Sequence, residues 1–446
     1  MNISIIGTGY VGLVSGVCLA EKGHDVTCVD IDSKKVDMIN DGKSPIHEKG
    51  LDELLGKHIH KRFRASTDLQ KAVDESDLSV IAVGTPFDGD LIDLSFIRQV
   101  SKDLGRALKK KDAYHVVVVK STVVPGTTDE VVRPLVEQES GKQSGKDFGV
   151  GMNPEFLREG EAVSDFMSPD RIVIGGIDDR TRETMDRVYA VFEGVDIVRT
   201  NNKTAEMIKY TANSLLATLI SFSNEIGNLC ASVGDVDVIE VMQGVHKDKR
   251  FSPIQPGGER IAPGFLSYLA AGCGFGGSCF PKDVKALIAH GKKAGNSMRL
   301  LDAVIQTNDK QPQRVISLLE KHFDDLKGVK VAVLGLAFKP GTDDMRESPA
   351  IPVVNHLVEE GAVVKAYDPV AQEEAEKLFG HEGITYFKNL PDTVADADAI
   401  VLLTGWEEFG QLPGIINGRD PAPLFLDGRR MLAKDQFKRY EGIGLS

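Results

Sequence analysis

Residues 1–30 read MNISIIGTGYVGLVSGVCLAEKGHDVTCVD. The apolar run Ile3 to Ile6 is a short core strand, and Gly7-Thr8-Gly9-Tyr10-Val11-Gly12 interrupts it. Leu13 to Glu21 has helical spacing that stops at Gly23, and a second strand ends at Asp30. Strand, glycine turn, helix and strand in this order open an α/β fold with a parallel sheet. In GxGxxG the first glycine permits a tight turn. The second lets the backbone approach a pyrophosphate, and the third lets the helix pack on the strand. The amides of the first helical turn then face the phosphates. Asp30 stands about 20 residues on, where a carboxylate accepts hydrogen bonds from the adenosine ribose. That carboxylate repels a 2′-phosphate, so NAD is favoured over NADP; nearby Lys35 is the one counter-signal. A structural glycine turn ending in a solvated aspartate is the plain alternative.

Outward from this unit the alternation continues. LSVIAVGTP (78–86), HVVVVKST (115–122), FGVGMNPE (148–155) and RIVIGG (171–176) read as further strands, with helical segments between several of them. Residues 204–229 lack glycine until Gly227 and lack proline altogether, so they read as one long helix with enough apolar surface for a dimer interface. The end of the chain resembles its beginning: VKVAVLGLAF (329–338), a helix over 348–361, and AVVKAYDP (362–369) ending in Asp368. Its loop GLAFKPGTDD lacks the glycine fingerprint, so this second domain should bind something other than a whole dinucleotide. The expected fold is α/β, with two Rossmann-like doubly wound parallel-sheet domains joined by a long central helix and a helical dimerisation domain. The expected boundaries are 1–200, 201–320 and 321–446.

A chain of 446 residues allows about three domains. Hydrophobic residues at 41% and charged residues at 27% describe a globular protein. The 53 lysines and arginines against 66 acids leave a charge of −13, which argues against a general nucleic-acid binder. Five cysteines, at 18, 28, 230, 273 and 279 and without a CxxC pair, fit a reduced cytoplasmic protein. No apolar run reaches about 18–20 residues, so no membrane span is expected. A secretory leader is not expected either, because Met1 to Ile6 already reads as a core strand.

The stretch GCGFGGSCFPKDVKALIAHG (272–291) points to chemistry. A glycine-rich loop delivers Cys279 to the first turn of a helix, where Pro281 is tolerated. A helix N-terminus favours the thiolate, and Lys282 adds positive charge. Asp283, four residues on, falls on the same side if the turn is helical. The glycines would let a substrate approach the backbone closely. Cys18, Cys28 and Cys230 read as inert core residues, and so does Cys273, although its place beside the loop leaves its role open. A dinucleotide domain plus an activated thiol matches oxidation of an alcohol to an aldehyde, thiohemiacetal formation, a second hydride transfer and hydrolysis of the thioester. Lys209 and Asn213 are four apart on the long helix and can serve one pocket as oxyanion donors. Glu155 and Glu159 show the same spacing, and Ser121 and Thr122 follow a strand end where open sheets place ligands. Each pair also reads as an exposed helix face or a cap.

Together GTGYVG, GTP (84–86), KSTVVPGT, NPEFLREG, EMIKYTAN, GFGGSCFPKD and LGLAFKPGTDDMRES, in this order over nearly the whole chain, resemble the nucleotide-sugar 6-dehydrogenases. That family oxidises UDP-glucose, GDP-mannose or UDP-N-acetylhexosamines at C6 with NAD. The resemblance implies that Cys279 is the nucleophile and that Lys209 polarises the substrate oxygen with Asn213. It implies that Asp283 supports water or proton transfer, and that Thr122 and Glu155 serve the water of thioester hydrolysis. Gly7, Gly9, Tyr10, Val11, Gly12, Asp30, Lys35, Thr85, Pro86, Ser121, Thr122, Glu159, Lys282 and Arg346 are implied at the cofactor. Glu155, Phe156, Leu157, Arg158, Lys209, Asn213, Phe265, Leu266, Gly276, Phe338, Lys339 and Arg429 are implied at the nucleotide sugar. Arg260 would reach the site of a neighbouring protomer in a homodimer. No metal is implied. The segment FLSYLAAGCGFGG (265–277) is longer than the UDP-glucose members lead one to expect, and it falls where the sugar is read. UDP-glucose, giving UDP-glucuronate, is the leading substrate, with UDP-N-acetylhexosamine or GDP-mannose as alternatives. A single-hydride hydroxyacid dehydrogenase would not need Cys279, and a non-catalytic NAD sensor would need neither the thiol nor its proton machinery.

Overall fold

The computed structural model of the chain describes residues 1–89 and 91–445. Two compact units make it up, Met1–Ala212 and Asn213–Ser446. The boundary falls inside the helix Asn202–Val233, whose 32 residues extend the expected helix at both ends. Gly227 does not break it. A Cβ there would lie 3.1 Å from the Ala271 side chain, so this glycine serves close packing.

The first unit holds the strands β1 (Asn2–Ile6), β2 (Asp25–Val29), β3 (Phe63–Ser66), β4 (Leu78–Ile81), β5 (His115–Val119), β6 (Phe148–Met152), β7 (Arg171–Gly176) and β8 (Asp196–Thr200). They form one sheet in the order β3-β2-β1-β4-β5-β6-β7-β8. β1 pairs in parallel with β2 and β4, with Ile6 opposite Val29 on one side and Ile81 on the other. Gly7, Asp30 and Ala82 therefore leave the sheet side by side. Chain order reverses between β1 and β4, the switch point where open α/β sheets bind ligands. Alternate residues feed two cores: Ile5 packs with Leu13 and Val17, whereas Ile6 packs with Ile97 and Leu104. β5, HVVVV, is buried along its whole length, as a strand covered on both faces should be. One junction departs from the parallel pattern: β6 and β7 run antiparallel, Gly151 opposite Gly176.

The second unit holds β9 (Lys330–Leu334), β10 (Val363–Tyr367), β11 (Ile384–Tyr386), β12 (Ala399–Leu402), β13 (Leu424–Asp427) and β14 (Tyr440–Gly442). All pairings are parallel, in the order β11-β10-β9-β12-β13-β14. This is the doubly wound order of dinucleotide folds, met a second time in one chain. The helical stretch ahead of this sheet shares its core: Cys230, Val238 and Met242 lie in one cluster with Val331, Val333 and Leu426. Among the described residues no helix is long and apolar enough to cross a membrane.

Candidate active site

The glycine turn divides its labour as the motif implied. Gly7 has φ +104°, and a Cβ there would lie 2.6 Å from the Ala82 carbonyl oxygen. A Cβ on Gly12 would lie 2.0 Å from the Gly7 carbonyl oxygen, so helix and strand touch only because it is absent. Gly9 has nothing within 4 Å of its would-be Cβ, which leaves the approach to the helix Tyr10–Glu21 open. No side chain caps that helix, so its first amides are available to an anion. Asp30 accepts from the Thr8 amide at 2.8 Å, the Thr8 hydroxyl at 2.5 Å and the Asp32 amide at 3.0 Å. Three of about four acceptor positions are used, leaving one for a ribose hydroxyl. Burial works against its charge, but these donors and the Lys35 ammonium outweigh it and hold the carboxyl below its ordinary value. Open space above Gly9, uncapped amides and an ionised Asp30 fit NAD. Around them, Thr85 donates to the Thr122 carbonyl at 2.7 Å and Ser121 to the Val83 carbonyl at 2.7 Å, which ties the loops after β4 and β5 together. Pro86 and Lys35 are exposed, and Val11 is partly buried. The Tyr10 hydroxyl donates to Glu48, whose carboxylate also accepts from the Gly160 amide at 2.8 Å. Glu48 had no signal in the sequence.

Asp368 occupies the same place after β10 that Asp30 occupies after β2, but it is spent. It accepts from the amides of Leu336, Ala337, Val370 and Ala371 and from the Trp406 indole, and it is 2% exposed. No acceptor position is left for a ribose, which agrees with the missing glycine fingerprint in this unit.

Lys209 and Glu155 form a buried ion pair in the first unit, 2.9 Å apart with side chains 4% and 6% exposed. Burial pushes the Glu155 carboxyl up, but the Lys209 ammonium, the Leu157 amide (2.7 Å) and the Lys120 ammonium outweigh it and hold it below its ordinary value. The Phe156 ring lies 5.6 Å from the Lys209 nitrogen. The four-residue spacing of Glu155 and Glu159 has a different meaning from the one expected. Residues 153–158 are irregular and the helix begins only at Ala162, so no helical face joins the two. Pro154 disfavours a helical backbone at Asn153, and Gly160 adopts φ +82°. Arg158 is exposed and forks onto Asp165. Lys120, at the end of β5, was missed; it is 5% exposed and donates to Asn153 Oδ1 at 2.8 Å. A lysine directly after the four valines of β5 was the available signal.

In the second unit Cys279 is the residue just before the helix Phe280–Lys293, one step ahead of the first turn in which it was expected. Pro281 sits in the first turn, and Cys279 is the only cysteine that is not buried among the described residues. Burial pushes the Cys18 thiol up to about 12 and raises that of Cys28 further. Asp283 is 1% exposed, accepts from the Asn213 amide at 2.7 Å and from Lys282 at 2.6 Å, and its own amide bonds the Cys279 carbonyl at 2.8 Å. The spacing of Cys279 and Asp283 is thus realised within one helical turn.

Two of the glycines before Cys279 serve close packing of the loop. A Cβ on Gly276 would lie 2.2 Å from the Glu347 carbonyl, and one on Gly277 (φ +84°) 2.7 Å from the Phe338 ring. They let the thiol loop pack against the 338–347 loop, and the Gly277 amide bonds the Arg346 carbonyl at 2.8 Å. The Arg346 guanidinium is exposed and forks onto Asp344, and the Lys339 nitrogen lies 5.7 Å from the Phe338 ring. The Arg429 guanidinium donates to the carbonyls of Leu403 (2.6 Å), Gly274 (2.8 Å) and Phe338 (3.4 Å). Arg430, its neighbour, is instead tied up with Asp237 at 2.8 Å. Phe265 is exposed and Leu266 buried in the short turn Gly264–Tyr268. Cys273 is fully buried, with its sulfur 3.5 Å from the Leu403 carbonyl. No cluster of metal-ligating side chains occurs among the described residues.

Three models of one family match in sequence. The NAD binding domain of the UDP-glucose/GDP-mannose dehydrogenase family covers residues 1–193, its central domain 203–310 and its UDP binding domain 332–434. AglM, a UDP-glucose 6-dehydrogenase of Haloferax volcanii, is 43% identical over 448 residues, which span 99% of this chain and 100% of that protein. The chain belongs to the UDP-glucose/GDP-mannose dehydrogenase family. It is an NAD-dependent oxidoreductase. A GDP-mannose 6-dehydrogenase of Pseudomonas aeruginosa is 41% identical over 426 residues, 92% of this chain and 93% of that one. The structure of a UDP-glucose dehydrogenase from Pyrobaculum islandicum aligns with a TM-score of 0.89 at 38% identity, over 100% of this chain and 98% of that one. Within the family frame, Gly7 to Gly12 and Asp30 fall in the NAD binding domain. Lys209, Asn213 and Cys279 fall in the central domain, and Phe338, Lys339, Arg346 and Arg429 in the UDP binding domain.

Proposed function

We propose that this chain oxidises a UDP-sugar, UDP-glucose first among them, at C6 to the uronate through a thioester on Cys279. The observation that carries this is Cys279 at the N-terminus of a 14-residue helix, with buried Asp283 bonded to Asn213 one turn away. NAD, when bound by Gly7, Gly9, Gly12 and Asp30, supplies a hydride acceptor. A primary alcohol, two NAD and one water then give a carboxylate, two NADH and three protons. Lys209 donates to the substrate oxygen as its charge changes, and Glu155 keeps that ammonium in place. The Cys279 sulfur bonds the aldehyde carbon, and the Asn213 amide donates to the resulting oxyanion. Loss of hydride from that carbon leaves the thioester. Glu155 and Thr122 orient the water that releases the acid, and Asp283 takes part in proton transfer.

The division 1–200, 201–320 and 321–446 assigns cofactor, thiol and nucleotide to separate parts of the chain. Arg429 has no carboxylate partner among the described residues, so its charge suits a substrate phosphate. A homodimer is supported by Leu215, Phe222 and Leu229, exposed by 57%, 50% and 59% at seven-residue spacing on the central helix. Arg260 donates to the Lys247 and Ser252 carbonyls of its own chain, bonds it would release on reaching a partner's site. The five cysteines, none in a disulfide among the described residues, suit a cytoplasmic, reducing setting.

The test is NADH formed per sugar consumed on a panel of UDP- and GDP-hexoses. Two NADH per UDP-glucose, with UDP-glucuronate as product, is expected. Two on another sugar would move the specificity to residues 265–277 and keep the mechanism. One, or none on any sugar, would overturn the thioester route.

A further inference from the structure

Lys120, Glu155 and Lys209 are 5%, 6% and 3% exposed, so two ammonium groups and one carboxylate are buried within electrostatic reach of one another. The sum of their charges is +1. Lys209 touches the carboxylate directly at 2.9 Å, whereas Lys120 is bonded at 2.8 Å to a neutral amide oxygen of Asn153. That oxygen also accepts from the Tyr189 hydroxyl, and the Asn153 NH2 group donates to the Val173 carbonyl at 2.8 Å. The side chain is thereby fixed against β7. Only Pro154 separates Asn153 from Glu155, so the grip of Lys120 on Asn153 also places the carboxylate.

The groups that face Lys120 are Glu155 from the loop after β6, Lys209 from the central helix, and the Tyr189 hydroxyl across Asn153. The Phe166 ring stands 5.7 Å from its nitrogen. Burial penalises its charge, the Lys209 ammonium repels it and Glu155 attracts it; its pKa falls to about 8. A buried cation in such company gives up its proton within the working range of an enzyme.

We infer that Lys120 is a positioning residue: it anchors Glu155 through Asn153, and its positive charge strengthens the hold of the Glu155–Lys209 pair on a negatively charged substrate oxygen. This rests on the reading of Lys209 as oxyanion donor. When Lys120 loses its proton the cluster falls from +1 to neutral and turnover drops. The kcat profile of the wild type should therefore descend above about pH 8.

The test compares wild type, Lys120→Arg, Lys120→Gln and Asn153→Asp, with kcat on UDP-glucose measured from about pH 6 to 10. Arginine keeps its proton throughout this range, so the descent should disappear while kcat at neutral pH is largely kept. Glutamine should show a flat profile with kcat lowered about tenfold or more at neutral pH and KM changed far less. Asn153→Asp sets a carboxylate beside Lys120 and should move the descent upward. It keeps the question decidable if the lysine variants fail to fold. A descent unmoved in Lys120→Arg and Asn153→Asp overturns the inference. The NADH count in the same assays separates the two readings. Two per sugar with an unmoved descent refutes Lys120 alone, whereas a count of one refutes the thioester route.

Discussion

Glu155→Gln leaves Lys120 and Lys209 buried without the carboxylate that faces both of them. Deleting one partner of a buried pair costs about 3–5 kcal/mol, because the remaining buried charge loses the carboxylate that offset its desolvation. For a unit the size of Met1–Ala212 each kcal/mol lowers the melting temperature by about 2–4 °C, so a fall of roughly 10 °C is expected in calorimetry. The pH dependence is specific. The folded pKa of Glu155 lies below its unfolded value, so its contribution is present above the ordinary carboxyl range and is lost as pH falls through the folded value. As pH falls through that lowered folded value Glu155 of the wild type also becomes neutral and the gap to the variant closes. On the alkaline side Lys120, already held below its ordinary value in the wild type, loses its proton still more readily once Glu155 is gone, so the variant gains stability and the gap narrows again. A deficit under about 1 kcal/mol, constant across pH, would refute the buried charge cluster.

Three further outcomes follow from the same geometry. Cys279→Ser should lower net acid formation by at least about a thousandfold while NAD still binds, measured by product analysis and calorimetric titration; sustained turnover would remove the sulfur from the chemistry. Gly12→Ala sets a methyl 2.0 Å from the Gly7 carbonyl, so the helix must shift. NAD affinity should fall about tenfold or more in a fluorescence titration, and unchanged affinity would count against the phosphate turn. His115 is fully buried against Ser79 and the Ser76 carbonyl, and burial holds its pKa near 3. The unfolded chain takes up that proton first as pH falls, so about 2 kcal/mol of stability should vanish between about pH 6.5 and 5. His115→Gln should lose correspondingly less in denaturant titrations, and an equal loss would place the acid sensitivity elsewhere.

Much of the fold was legible because its signals are local. GTGYVG, the apolar run before it and Asp30 lie within thirty residues, and short-range sterics decide how they fold. The long helix was legible from an uninterrupted helical pattern, although its ends lie slightly beyond those expected. Cys279 was legible from its loop and Pro281, but not its exact position one residue ahead of the helix. Glu155 and Glu159 show where spacing misleads: a four-residue interval means one face only if the backbone is helical, and Pro154 and Gly160 prevent that. The glycines before Cys279 read locally as room for a substrate; the packing of Gly276 and Gly277 on Glu347 and Phe338 was not legible, because those atoms are distant in sequence.

The order of residues along the chain was enough to establish two doubly wound α/β folds, a dinucleotide turn and a thiol at a helix start. Each of these follows from periodicity and from what glycine and proline allow the backbone to do. Other properties depend on groups distant in sequence. Glu155 meets Lys209 and Lys120 only because β5, the loop after β6 and the central helix converge in the first unit. Asp30 keeps an acceptor free while Asp368, at the same place in a sister fold, gives all of its acceptors to amides and Trp406. Desolvation and hydrogen-bond supply set the charge and availability of these side chains. Both are properties of what surrounds a group in space, so a sequence pattern names the group and folding decides its chemistry.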